Sequence, residues 1–248
     1  MTNTLSSQPF DLADLRILLW DLDGTLVRGR RFGTFKDYTV PMLETVFGTS
    51  GALREMVVSG MTDLQIVEEA LRCAGITRAH ITERKDELRR CYIQEMKRAV
   101  ADGAHIIEAI PGALETLKAV DEHPRYLSAL LTGNIEPAAH LKTEAAGLAK
   151  YFTLPGAFGD ESFDRRDLPA LAVARINKQL HAVLRPEQFI VIGDTPNDIA
   201  CARHFGTRVV AVASGRIHSA DELRVCEPDA LLPDLLDVDL FMRTLAKL

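Results

Sequence analysis

The run Ile17-Leu18-Leu19-Trp20-Asp21-Leu22-Asp23-Gly24-Thr25-Leu26 carries the densest chemistry in the chain. An apolar stretch ends in two carboxylates two residues apart. In an extended segment that spacing projects both to one side, so Asp21 and Asp23 can converge on one reacting group. Gly24 permits a backbone turn closed to bulkier residues. The same letters also make a plain strand-end turn. A calcium loop fits worse, because the glycine comes too early and Phe32 stands where such a loop needs a bidentate Glu.

Two further clusters follow apolar runs. Leu130-Leu131 leads into Thr132-Gly133-Asn134. A helix expected after it would present free N–H groups and its positive dipole end, which is an anion site; Thr132 or Asn134 could equally cap that helix. Ile190-Val191-Ile192 leads into Gly193-Asp194-Thr195-Pro196-Asn197-Asp198. Thr195 followed by Pro196 is an ordinary helix start, yet Asp194 and Asp198, four apart, can share a face. Asp21, Asp23, Asp194 and Asp198 brought together would repel unless a cation neutralised them. Oxygen ligands alone point to Mg²⁺. An anionic ester there would also need a protein cation, which Asp164-Arg165-Arg166-Asp167 supplies, unless those arginines are simply solvated in a loop.

Strands and helices must position these groups. Strands are expected over residues 15–20, 126–131, 188–192, 208–213 and 230–232, mostly as continuous apolar runs, as for strands covered on both faces. Helical patterns over 112–120, 136–149 and 168–180 alternate with them. The expectation is an α/β fold with a doubly wound parallel sheet. Residues 31–104 break the rhythm and read as an inserted α-helical domain, with residues 1–30 and 105–248 forming the core. In the insertion, Thr62-Asp63-Leu64-Gln65 has the form of a capping box, residues 82–100 form one long charged helix, and Gly33 and Pro41 punctuate the start.

The 248 residues are 47% hydrophobic and 26% charged, which excludes disorder and low-complexity architectures. With 29 Lys and Arg against 35 Asp and Glu, the net charge of −6 lacks the footprint of a nucleic-acid binder. Cys73, Cys91, Cys201 and Cys226 show no zinc or disulfide spacing. The amino terminus has no signal pattern and no apolar run spans a bilayer, so a cytoplasmic location is expected, with no membrane and no nucleic acid as partner.

Together the D-x-D-G-T, T-G-N, Arg and G-D-x-x-x-D segments resemble the haloacid dehalogenase superfamily on its phosphatase side, over residues 15–235. Residues 31–104 lie where that family carries a helical cap over a Rossmann-like core. Gly60-Met61-Thr62-Asp63 looks like the G-x-T-D stretch of phosphoglycolate-phosphatase-like members. The resemblance implies a Mg²⁺-dependent phosphomonoester hydrolase acting on a small phosphorylated metabolite, phosphoglycolate-like or a sugar phosphate. Asp21 would be the nucleophile and Asp23 the acid and then the base. Thr132, Gly133 and Asn134 would hold substrate, and Arg165 would stand for the family's usual lysine. Asp21, Asp23 (through its carbonyl), Asp194 and Asp198 would serve the metal. No lysine lies between Tyr151 and Asn177; Arg165 fits better than Arg166, and Lys142 is the remaining alternative. Asp23 argues against dehalogenation, since a halide leaves without a proton. A β-phosphoglucomutase-type phosphomutase would use the same core, and a catalytically idle binding protein would keep the fold. A monomer or homodimer is expected.

Overall fold

A computed structural model describes residues 12–31, 34–103 and 105–248. The expected Gly33 punctuation, the first eleven residues and the Ala104 boundary lie outside them.

Among the described residues, seven strands and ten α-helices follow in chain order: β1 Arg16–Trp20, β2 Val27–Gly29, α1 Thr34–Phe47, α2 Asp63–Leu71, α3 Arg78–Glu83, α4 Lys85–Ala101, β3 Ile107–Ala109, α5 Ala113–Asp121, β4 Tyr126–Leu130, α6 Glu136–Ala145, α7 Leu168–Leu180, β5 Phe189–Gly193, α8 Pro196–Phe205, β6 Arg208–Val212, α9 Ala220–Val225, β7 Ala230–Leu232 and α10 Val238–Leu245. The five long-expected strands form one parallel sheet in the order β4-β1-β5-β6-β7. Its two faces are buried in separate apolar clusters, one around Trp20, Leu117 and Phe241 and one around Leu19, Ile176 and Val191. This is why these strands read as continuous apolar runs and not as alternating ones. Trp20 stacks on Phe241 and donates its indole N–H to Ser128 Oγ at 3.1 Å, so the one polar atom of this core residue is satisfied.

Helices α1 to α4 build a third apolar cluster that Ile135 and Ala138 of the core join. A short antiparallel ribbon of β2 and β3 carries the chain out to these helices and back; neither strand is long enough to show a periodicity in sequence. Pro41 lies inside α1 and does not punctuate it. The helix forgoes a hydrogen bond there, while Tyr38, Met42, Leu43 and Val46 around it are buried. The expected helix over 82–100 is two helices, broken at Arg84, whose N–H closes α3 on the His80 carbonyl. Leu88, Tyr92 and Met96 face the core of α4 as their spacing requires. Only half of the expected capping box forms: Thr62 accepts from the Gln65 N–H, while the Gln65 side chain turns to Glu69. α6 ends at Ala145, short of the expected 149. No helix among the described residues is long and apolar enough to cross a membrane.

Candidate active site

Trp20 at the end of β1 lies in register with Leu130 of β4 and Ile192 of β5. Parallel strands in that register deliver the residues that follow them to one sheet edge, where the connections diverge to opposite sides and leave a crevice. Asp21, Thr132 and Asp194 all line one cavity there, of about 530 Å³, whose opposite wall comes from the helical segment.

Asp21, Asp194 and Asp198 each bring a carboxylate oxygen within 4.8 Å of the others, and all three are buried. Arg165, 5% exposed, sets one Nη2 against Asp21 Oδ1 at 2.8 Å and Asp198 Oδ1 at 2.5 Å. Its Nη1 donates to the Gly60 carbonyl at 3.2 Å, reaching the loop that enters α2. Arg166 is exposed and pairs with Asp164, so the two arginines separate cleanly by position. Asp198 Oδ2 accepts from the Thr195 N–H and hydroxyl, and Asp194 Oδ1 accepts from Thr25. Asp194 Oδ2 occupies a notch between two glycines. A Cβ at Gly24 would stand 2.2 Å from it and one at Gly215 1.9 Å, and Gly24 also holds φ +92°.

One guanidinium cannot balance three buried carboxylates. Burial pushes the Asp21 carboxyl up to about 7 against the pull of Arg165, with Asp198 and Asp23 adding repulsion. Burial also holds Asp194 well above the ordinary carboxylate range, with Asp21 and Asp198 raising it further. Arg165 is kept firmly protonated by Asp198 and Asp21 despite its burial. An oxygen-only acidic cluster with surplus negative charge fits a hard divalent cation.

Asp23 points elsewhere. Its Oδ2 accepts from Lys142 Nζ at 2.6 Å and from Asn134 Nδ2 at 2.7 Å. Lys142 also donates to Asn134 Oδ1 at 2.6 Å. The lysine is 4% exposed, whereas the Asp23 side chain is 48% exposed and faces the cavity. Burial would raise the Asp23 carboxyl, but Lys142 and Asn134 outweigh it and hold the group below its usual range. Lys142, which burial alone would discharge, is held above its ordinary value by Asp23.

The Thr132 hydroxyl accepts from the Asn134 main-chain N–H at 3.3 Å and side-chain amide at 2.8 Å, which leaves its own proton to donate. The helix start behind it is not the open anion site expected from sequence. The Ile135 N–H goes to Asp63 at 2.8 Å and the Glu136 N–H to Asp160 at 3.1 Å. Neither Thr132 nor Asn134 caps α6, whose N-cap is Ile135. Carboxylates have taken the dipole end, and the Gly133 N–H is left without a partner among the described residues. The Asn134 side chain is committed to Asp23, Thr132 and Lys142.

Sequence reasoning placed Lys142 only as a substitute phosphate cation; the structure sets it on Asp23. The signal was present in α6, where Lys142 shares the buried positions Ala138, Ala139 and Thr143. A buried lysine on an apolar helix face needs a partner. Asp63, 4% exposed and pushed up to about 7 by burial, ties the helical segment to α6. Of the arginines leaving the first motif, Arg30 pairs with Glu108 and Arg31 with Asp37, while Arg28 lines the cavity.

The model of the haloacid dehalogenase-like hydrolases matches residues 18–203. A phosphoglycolate phosphatase of Pectobacterium atrosepticum is 25% identical over 230 residues, covering 92% of each chain. Phosphoglycolate phosphatase 1 of Pseudomonas aeruginosa is 27% identical over 220 residues, covering 86% of this chain and 75% of its own. The crystal structure of a β-phosphoglucomutase of Clostridium difficile superposes with a TM-score of 0.65 at 11% identity, covering 94% of this chain and 98% of the other.

Proposed function

The chain belongs to the haloacid dehalogenase-like hydrolases, and from that membership we propose that it is a Mg²⁺-dependent phosphatase that hydrolyses a small phosphomonoester through an aspartyl-phosphate on Asp21. The observation that carries this reading is the meeting of Asp21, Asp194 and Asp198 on Arg165 at one cavity. Residues 31–104 serve as the cap and the remainder as the core.

Asp21, Asp194 and Asp198, with the Asp23 carbonyl, are the groups that would hold Mg²⁺. The bound ion would supply positive charge that lets a carboxylate approach an anionic ester. Asp21 attacks phosphorus, forming its acyl–phosphate bond as the ester P–O bond breaks. The Thr132 hydroxyl and the Gly133 N–H hold the phosphoryl oxygens, and Arg165 both fixes Asp21 and offsets the developing charge. Asp23 protonates the departing alcohol, then takes a proton from the water that cleaves the aspartyl-phosphate. In the free protein Lys142 and Asn134 keep Asp23 as the carboxylate, which is the base required in the second step. A dianionic ester beside it raises its affinity for the proton required in the first.

The test is turnover of para-nitrophenyl phosphate with Mg²⁺. The wild-type protein is expected to release phosphate, and Asp21→Asn to release none while still unfolding in one cooperative transition. Residual turnover in the variant would remove Asp21 from the chemistry. The second reading, a phosphomutase, draws on the likeness to β-phosphoglucomutase structures. It requires transfer to a bound sugar phosphate, so isomerised product without free phosphate would favour it.

A further inference from the structure

The cavity carries more positive charge than the proposed chemistry uses. Of its lining cations, Arg165 meets Asp21 and Asp198, Lys142 meets Asp23, and Arg31 meets Asp37. Arg28, Lys36 and Arg216 line it too, and none of them forms an ion pair among the described residues. Glu55, the one lining acid outside the groups described above, is exposed and likewise unpaired among those residues. Lys36 has a structural task. Its Nζ donates to the carbonyls of Arg54 at 2.7 Å and Met56 at 2.9 Å, which ties α1 to the loop before α2.

Arg28 has no such task. It sits half-buried on β2. Only its Nε is shut off from solvent, and no nitrogen of its guanidinium has a hydrogen-bond partner among the described residues. Arg216 stands exposed in the turn after β6. Its Nη1 donates to the carbonyl of Gly29, the residue after Arg28, at 3.3 Å, and its Nη2 has no partner among the described residues. The Ser214 hydroxyl donates to the Gly24 carbonyl at 2.8 Å and so holds this turn against the loop that carries Asp21 and Asp23. Both arginines therefore reach the cavity from segments fixed to the nucleophile's own loop. Cations left unneutralised on one cavity wall repel each other, and a cleft lined by one sign of charge draws in the other.

The transferring phosphoryl group is met by Thr132, Gly133 and Arg165, so a ligand for Arg28 and Arg216 is a second anionic group, carried by the alcohol. Its chemistry follows from the number of donors. A carboxylate spends both oxygens on one guanidinium fork, whereas a phosphate monoester has three free oxygens and about two charges at neutral pH, which matches two forks. The cavity of about 530 Å³ is also roomy for a two-carbon acid, and lies within the range of pockets that enclose larger ligands.

We propose that Arg28 and Arg216 form a second anion subsite on this cavity, and that the substrate is a phosphomonoester whose alcohol carries a second phosphate. This rests on the phosphatase reading above and narrows it.

The experiment measures kcat/KM with Mg²⁺ for the monophosphates and bisphosphates of propanediol, butanediol and hexanediol, whose flexible chains let the two phosphates find their spacing. Phosphoglycolate supplies the carboxylate and para-nitrophenyl phosphate the ester without a second anion. In the wild type at least one bisphosphate should exceed its own monophosphate and phosphoglycolate by about tenfold, the scale of one charge-assisted hydrogen bond. In Arg28→Gln and Arg216→Gln the ratio of that bisphosphate to para-nitrophenyl phosphate should fall about tenfold, mainly through KM, and Arg28→Lys should restore part of it. A wild type that treats every bisphosphate like its monophosphate overturns the subsite, as do equal losses on both esters in the glutamine variants. A preference for phosphoglycolate over every bisphosphate overturns the second phosphate. Arg216 is exposed, so Arg216→Gln decides the matter if Arg28→Gln does not fold. If no ester is turned over, the phosphatase reading fails separately, and the same series is titrated by calorimetry into the wild type and Arg216→Gln. A bisphosphate that binds about tenfold tighter than its monophosphate, with the difference lost in the variant, supports the subsite, and equal binding overturns it.

Discussion

Arg165 does work that a lysine would do differently. Its Nη2 meets Asp21 and Asp198 while Nη1 holds the Gly60 carbonyl, a fork that a single ammonium reproduces only in part. Arg165→Ala is expected to lower kcat by about 10²- to 10³-fold, the scale of removing one group aimed at developing charge, and Arg165→Lys to recover part of that loss in a steady-state assay. Lys142 acts on Asp23 in the opposite sense from burial. Lys142→Met removes the cation that keeps Asp23 below its usual range, so its carboxyl rises. On the proposed mechanism Asp23 acts in its ionised form as the base of the second step, so the acid limb of the pH–kcat profile should move to higher pH, and Lys142→Arg should move it back. An acid limb that stays in place in Lys142→Met would show that Asp23 is not the base.

At the scale of elements, the site depends on how closely the loop before α2 seats on the turn after β4. The Asp63 N–H donates to the Gly133 carbonyl at 2.7 Å and the Leu64 N–H to the Gly159 carbonyl at 3.2 Å. A Cβ at Gly133 would stand 2.0 Å from the Met61 carbonyl oxygen, closer than any stable contact. Gly133→Ala should therefore push this loop off the core. We expect a raised KM and a loss of about 1–3 kcal/mol of stability, the usual cost of forcing extra volume into a packed site, measured by kinetics and by denaturant unfolding. Unaltered KM and stability would mean that the loop is not seated there in solution. The same backbone contact explains why the motif at residues 60–63 belongs to the site although it lies in the helical segment.

The whole molecule carries surplus acid at one sheet edge, and this makes its stability depend on pH. Asp21 and Asp63 titrate near about 7 in the folded chain but near about 4 when unfolded. Between those values the folded state binds more protons than the unfolded one, so the metal-free protein loses stability as pH rises through that window. Asp23 is depressed and contributes in the other sense, losing stability only as pH falls below about 4. A divalent cation would bind the ionised cluster and not the protonated one. The rise in melting temperature on adding Mg²⁺ should thus be larger at about pH 8 than at about pH 5. A shift of equal size at both would rule out binding at these carboxylates.

The alternation of apolar strands with helices determined the parallel sheet by itself, because continuous hydrophobic runs can be buried only when both sheet faces are covered. Strand ends and helix starts are local features, and they marked Asp21, Thr132, Arg165, Asp194 and Asp198, which the fold brings together at one sheet edge. Contacts across the chain were decided only in three dimensions. Asp63 and Asp160 closing the start of α6 and Lys142 reaching Asp23 join residues 72, 24 and 119 positions apart, and no local pattern encodes such a meeting. The break at Arg84 and the unbroken helix through Pro41 were settled likewise, because burial of one face in a shared core overrides the propensity of a single residue. The docking of α1–α4 likewise brings Tyr38 within 5.3 Å of His105, ring to ring, at one wall of the cavity.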